Sequence, residues 1–323
     1  MSVGLEEFCL FCCTRMSYDT VTALLERTTG EALVCSQTLC HWVEAKARQY
    51  DSLLLGQEAQ KPEPCPPVFV ACANVYARES EEVVVFCDGI CVKAQKPTHE
   101  KAGEPKRPKS AKRHDEGVFL CPKQDGSFAY LTASLDGTVS LVERTQRFLR
   151  REWSLREMPL AMVALTDGAR KIRQDLAAVF GSGVRVILDW YHLAKRVYEN
   201  LSMIAFSTGE REGLQERLLG LLWQGHVSDA VAFVAGISPR NKKAHADLLG
   251  YLQKHAEEII DYGRRQKTGK PIGSGRMEKA VDQVVGMRQK KKGMSWSATG
   301  SHALALLKIA ELNGHWKPLF AQA

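Results

Sequence analysis

The chain has 323 residues, of which 45% are hydrophobic, 25% charged and 8% aromatic. This is the composition of an ordinary globular protein, and it excludes a disordered tail, a collagen-like fibre and a small disulfide-stapled scaffold. No apolar run approaches the roughly 20 residues that span a bilayer. The N-terminus, MSVGLEEFCLFCC, lacks the basic region and small-residue cleavage site of a secretory signal. The net charge of +7 is modest, so its distribution carries more information than its total.

All ten cysteines fall between Cys9 and Cys121. A secreted, disulfide-stapled chain would rarely leave its last two hundred or so residues unbridged, so reduced thiols are the expectation. Cys9-x-x-Cys12 with Cys35, Cys40 and His41 suggests zinc, yet no second tight pair completes such a site. Cys9, Cys12 and Cys13 also share the i, i+3, i+4 spacing of a buried helix face, and core packing is preferred.

In chain order, a helix is expected over about Leu5 to Arg15. A second follows a Ser17 cap from Tyr18 to Arg27, and after Gly30 a third runs from Ser36 to Gln49 with Leu39, Trp42 and Val43 at helical spacing. Helix, glycine turn, helix is the outline of a helix-turn-helix; a plain three-helix bundle fits equally well. Residues 56–67 (GQEAQKPEPCPP) form a Pro-rich linker.

The period then changes. EVVVFC (Glu82 to Cys87) is a β-branched strand ending at Asp88-Gly89, with more strand over Ile90 to Ala94. Residues 96–117 are rich in Lys, Arg and Pro and nearly free of apolar side chains, the pattern of a mobile basic loop. Val118 to Cys121 and Phe128 to Ala133 flank a Gln124-Asp125-Gly126 turn and make a hairpin. Val139 to Trp153 is helical. Ala161 to Leu165 is a strand ending at Thr166-Asp167-Gly168, followed by an amphipathic helix to Phe180 and a further strand, Val184 to Leu188, ending at Asp189. Hairpin followed by strand–helix–strand predicts a mixed sheet with helices packed on it. From His192 to about Arg265 the pattern is helical throughout. Pro271-Ile272-Gly273-Ser274-Gly275 then leads into a helix from Arg276 to about Lys290, and Ser297 to Leu312 forms the last helix.

Three carboxylates stand at element boundaries. Asp88 and Asp167 end strands, and side chains at the carboxyl ends of adjacent strands project into one crevice. Glu278 lies in the first turn of the helix behind the GSG turn, whose backbone is free to approach closely. Converging carboxylates repel unless cations bind, and hard oxygen ligands select Mg²⁺ or Mn²⁺. Two such ions about 4 Å apart support phosphodiester displacement. Taken singly, each acid has a plain structural reading as a turn or first-turn residue. The charge agrees with a polyanionic partner: Arg264 to Lys292 holds ten Lys or Arg against Glu278 and Asp282.

TDGA at Asp167, LDWYHLAKRV about twenty residues later, and GSGRMEKAVDQVVGMRQKKKGMSWS near the C-terminus resemble the insertion-sequence transposases of the Mutator-like DDE class. The likeness covers roughly residues 80–315. It implies an α/β fold with an RNase H-like mixed sheet and an all-α insertion, preceded by a small helix-turn-helix-like domain. The implied domains are 1–55 (DNA-binding helices), 56–78 (linker), 79–194 (first part of the catalytic core), 195–265 (helical insertion) and 266–323 (C-terminal helices of the core). It assigns Asp88, Asp167 and Glu278 as catalytic metal ligands for two Mg²⁺ or Mn²⁺ ions, and Asp189 and His192 as a D-x-x-H motif.

His192 stands one turn after Asp189, where it could bind the scissile phosphate or protonate a leaving group. Asp189 also rivals Asp167 as second ligand, since both end parallel strands; the family pattern favours Asp167. Arg276, Arg288, Lys290, Lys291, Lys292 and Trp296 are the expected DNA contacts, with Trp296 the best of the tryptophans for base stacking. The implied partner is double-stranded DNA, at element ends and at the target, engaged by a homodimer or higher synaptic assembly at the nucleoid in the cytoplasm, with no membrane. The implied activity is metal-dependent DNA cleavage and strand transfer. A catalytically inactive DNA-binding derivative and an RNase H-like nuclease are the alternatives.

Overall fold

In the computed structural model, the described residues are 2–59, 68–79, 81–95, 113–154 and 158–321. The elements run α1 (Val3–Cys13), α2 (Tyr18–Thr29), α3 (Ser36–Ala59), β1 (Phe69–Ala71), β2 (Val83–Lys93), β3 (Arg113–Pro122), β4 (Phe128–Leu131), α4 (Leu141–Glu152), β5 (Leu160–Thr166), α5 (Arg170–Phe180) and β6 (Arg185–Leu188). Helices follow to the end: α6 (Trp190–Ile204), α7 (Thr208–Trp223), α8 (Val227–Ala235), α9 (Lys242–Lys254), α10 (Tyr262–Lys267), α11 (Gly275–Val281), α12 (Met287–Gln289), α13 (Ala298–Leu312) and α14 (Trp316–Ala321). The class is mixed α/β. Two compact units divide these residues: one takes the described parts of 1–66, 88–155 and 276–323, the other those of 67–87 and 156–275.

The second unit holds the parallel strands. β5 is its centre, with Leu160 and Met162 to Leu165 buried, a continuous apolar run suited to a strand covered on both faces. The first half of β2 pairs with β5 along Val83–Cys87, while β1 and β6 pair with successive stretches of β5, Leu160–Met162 and Val163–Thr166. α6, α7, α8 and α9 pack on one another as a helical array, matching the uninterrupted helical pattern of the sequence. Trp190 meets Trp223 and Tyr262 at 4.8 and 5.0 Å between ring centres, and Tyr262 donates its hydroxyl to the Leu188 carbonyl at 2.8 Å. Both tryptophans are half-buried and pack around the fully buried Tyr262.

The first unit contains the antiparallel hairpin of β3 and β4, in register from Phe119↔Leu131 to Pro122↔Phe128. Its central helix is α13, where Ala303 to Leu307, Ile309 and Ala310 are all buried; a helix apolar nearly all round belongs in a core. α1 and α2 are capped by Ser2 and Ser17, which accept from Leu5 and Thr20 amides. α3 packs on α13. Tyr50 bonds His315 at 2.8 Å, and buried Arg144 pairs with Asp51 and Glu58 at 2.7 and 2.9 Å. The exposed side of α3 carries Gln37, His41 and Arg48, with Glu44 paired to Arg48 at 3.1 Å.

Several boundaries differ from the sequence reading. α3 continues to Ala59, into the stretch read as linker, because nothing before the Pro-rich segment stops a helix. β2 runs unbroken through the Asp88-Gly89 dipeptide, so the strand expected from Ile90 continues the one before it, and Asp88 lies within the strand rather than at its end. β3 begins at Arg113, so the last residues assigned to the basic loop are strand; residues 96–112 of that loop lie outside the described residues. The helix after GSG widens into a π-turn over Asp282–Gly286. β1 and α14 have no counterpart among the expected elements.

Candidate functional site

Strand register builds the site. Cys87 of β2, Thr166 of β5 and Leu188 of β6 are aligned across three parallel strands, and Asp88, Asp167 and Asp189 are the residues that follow them. Parallel strands place their carboxyl ends on one side, so β5 and β6 each deliver an aspartate just past a strand end, whereas Asp88 lies within β2, which runs on to Lys93.

The three do different work. Asp189 is fully buried and its carboxylate is committed. Oδ1 accepts from the Tyr191 and His192 amides at 2.7 and 3.0 Å, capping α6, and Oδ2 accepts from the Ser274 amide. Its own amide donates to Thr166 O at 2.8 Å, and the Trp190 amide donates to Ile272 O at 3.1 Å. Burial pushes its pKa up, but the bonds from His192 and Ser274 outweigh burial and hold it below the usual carboxylate range. Asp189 is therefore a clamp: it ties the start of α6 to the loop that opens α11. Gly273 lies in that loop against the Tyr191 ring, where any Cβ would overlap the ring. The GSG backbone does make a close approach, but to a tyrosine.

Asp167 is half-buried, with Oδ1 accepting from the Ala169 amide at 2.8 Å. Gly168 behind it has φ +81° and would place a Cβ 2.8 Å from both His255 and Leu188 side chains, so glycine is needed there twice over. His255 is buried against this turn; its Nδ1 lies 2.6 Å from Glu258, which also pairs with Arg173. Asp88 is half-buried and accepts from the Gly89 amide at 2.7 Å. Glu278 is exposed in the first turn of α11, four residues after the clamped Ser274. His192 is partly exposed, with Nδ1 3.5 Å from Asp189 Oδ1.

By chemistry, carboxylates such as those of Asp88, Asp167 and Glu278 are hard oxygen donors of the kind that suits Mg²⁺ or Mn²⁺, but Asp88 and Glu278 belong to the first unit and Asp167 to the second. Among the described residues no three His, Cys, Asp or Glu side chains are gathered closely enough to hold a metal ion. The same holds for the N-terminal cysteines. Burial pushes the Cys9 and Cys13 thiols up to about 11 and about 12, away from the thiolate form that zinc requires.

The basic residues separate into two groups. Arg276, Lys290, Lys291 and Lys292 are exposed, whereas Arg288 and Trp296 are 3% and 8% exposed. Arg288 donates from Nε to Cys13 O at 2.8 Å, and its guanidinium lies 4.5 Å from the Trp296 ring centre. Trp296 donates its indole N–H to Gln289 O at 3.0 Å, and its backbone pairs with Lys93 and Gln95. Both belong to the packing of the first unit. Sequence reasoning missed His255 and Glu258, which stand at the end of an ordinary amphipathic helix with no local pattern to mark them.

The chain matches no model of a known protein family, and no curated protein matches it. Among the described residues no helix is long and apolar enough to cross a membrane.

Proposed function

We propose that this protein is a DDE transposase that cleaves DNA at the ends of an insertion sequence and joins them to target DNA on an RNase H-like core. The observation that supports the reading is the alignment of Cys87, Thr166 and Leu188 on three neighbouring parallel strands, each followed in the chain by an aspartate, with the loop leading to Glu278 bonded to Asp189. Asp88, Asp167 and Glu278 would hold Mg²⁺ or Mn²⁺, two ions per site. When bound, such ions activate the attacking water or 3′-hydroxyl and stabilise the leaving oxygen.

The chain's own residues do the rest. Asp189 holds α6 and the α11 loop in register. It also adjoins His192, whose Nδ1 lies 3.5 Å from its Oδ1 and whose ring would bind the scissile phosphate or return a proton to the leaving oxygen. Arg276, Lys290, Lys291 and Lys292 bind the DNA backbone, with the helices α1, α2 and α3 as further contacts. In strand transfer a 3′-oxygen forms a new bond to phosphorus as the bond to the leaving 3′-oxygen breaks. Double-stranded DNA is the partner, and a homodimer or larger assembly brings two ends together.

The test is incubation of the full chain with Mg²⁺ or Mn²⁺ and DNA carrying the sequences that flank its gene. Asp88→Asn, Asp167→Asn and Glu278→Gln should each abolish cleavage while DNA binding persists; full cleavage by any one removes that residue from the site. A second reading is favoured by the absence, among the described residues, of three acidic groups gathered around one ion: a DNA-binding protein of transposase ancestry without catalysis. It predicts metal-independent binding and no cleavage by the wild-type chain.

A further inference from the structure

The helix α6 has two opposite faces. Leu193, Val197, Leu201 and Ile204 are buried against the unit, whereas Tyr191, Lys195, Tyr198 and Ser202 recur at i, i+4, i+7 and i+11 on the outward side and are all exposed. Tyrosines are normally half-hidden, yet Tyr191 is 57% exposed and Tyr198 48%. Tyr191 is also held in place. Its ring lies on the backbone of Gly273, and its amide is bonded to the buried Asp189 carboxylate. One part of the ring is therefore seated on main chain while over half of it faces solvent, the condition of a preorganised stacking surface.

We propose that this face of α6 binds single-stranded nucleic acid, with unpaired bases stacking on Tyr191 and Tyr198 and the intervening phosphates paired with Lys195. The two rings are seven residues apart, about 10 Å along the helix axis, a separation that leaves room for a phosphate between bases stacked on the two rings. Lys195, one turn beyond Tyr191, puts a cation between them. Aromatic rings interleaved with a cation suit a stretched strand whose bases are unpaired; a duplex hides its base faces and offers such rings nothing to stack on. The acid on this helix, Glu199, lies at the flank of the face rather than within it. The proposal rests on the transposase reading for the identity of the strand, since Tyr191 adjoins His192 and Asp189, but it is tested separately from it.

The experiment measures binding of a single-stranded oligonucleotide containing 2-aminopurine to the full chain in EDTA, against the matched duplex. Wild-type protein should quench the fluorescent base and bind the single strand. Tyr191→Ala and Tyr198→Ala should each weaken binding roughly tenfold, and Tyr191→Phe should keep it, because stacking needs the ring and not the hydroxyl. Thermal melts check folding, and Lys195→Gln, at an exposed position of the same face, should weaken binding further; unchanged binding would remove the phosphate contact. Unchanged binding by both alanine variants, equal loss in Tyr191→Phe and Tyr191→Ala, or altered self-association in place of altered oligonucleotide binding would each overturn the proposal. Cleavage with Mg²⁺ is read independently: single-strand binding without cleavage by wild type sinks the transposase reading and leaves this one standing, and cleavage without ring-dependent binding does the reverse.

Discussion

Replacing Asp189 with Asn removes one charge from a group that is wholly buried and accepts three backbone hydrogen bonds. The amide oxygen can still cap α6 through the Tyr191 and His192 amides. Its nitrogen, however, would face the Ser274 N–H, so a charge-assisted bond is replaced by two opposed donors. A bond to a charged group contributes about 1.5–3 kcal/mol, and leaving a buried donor unpaired costs about 1–3 kcal/mol. A loss of about 3 kcal/mol is therefore expected, which lowers Tm by roughly 4–5 °C for a chain of this length melting as one. The defect should be local: amide exchange at Ser274, Tyr191 and His192 should accelerate up to about a hundredfold. Asp167→Asn is the control, because that half-buried carboxylate accepts one local amide, and it should cost less than about 1 kcal/mol.

The pH dependence follows from the same contacts. Asp189 has a folded pKa below its unfolded value, so its contribution is complete above pH ~4 and disappears as pH falls through the folded pKa. The stability gap between wild type and Asp189→Asn should close in that acidic window and stay constant above it. Equal melting of Asp189→Asn and wild type at neutral pH, or a larger defect in Asp167→Asn, would refute the clamp.

Converting Lys290, Lys291 and Lys292 together to Gln should flatten the salt dependence of DNA binding, lowering the slope of log K against log salt by about two to three. Arg288→Met should leave that slope alone and instead cost about 2 kcal/mol of stability in denaturant unfolding, since its guanidinium is spent on Cys13 O and the Trp296 ring. Gly168→Ala combines a positive φ with contacts 2.8 Å from His255 and Leu188, so it should lose about 2 kcal/mol or more and give a lower Tm; unchanged melting would show the turn is not held as described. At His302, burial pushes the pKa down, but the Glu116 carboxylate at 2.8 Å outweighs it and the net shift is upward. Its contribution is complete below pH ~6.5 and falls as pH rises through the higher folded value, so His302→Gln should remove a loss of stability seen in wild type on going alkaline.

The sequence by itself determined the elements and their kinds. Short β-branched and apolar runs marked β2, β5 and β6, Ser17 marked the start of α2, and the unbroken 3.6-residue pattern marked the helical stretch after Asp189, because caps and residue patterning are local properties of the chain. It also placed Asp167 and Asp189 just past strand ends, but not Asp88, which strand β2 runs through. Tertiary structure alone distinguished Asp189 from Asp167. Both follow a strand and precede a helix, and only the pairing of Asp189 with the Ser274 amide, 85 residues away, turns one into a buried clamp while the other stays half-exposed. The same holds for the basic tail: Arg288 and Lys290 look alike in sequence, and one became core because Tyr18 and Trp296 surround it. Which polar group is buried depends on contacts between distant segments, and those are settled by sheet register and helix packing, which no local pattern encodes.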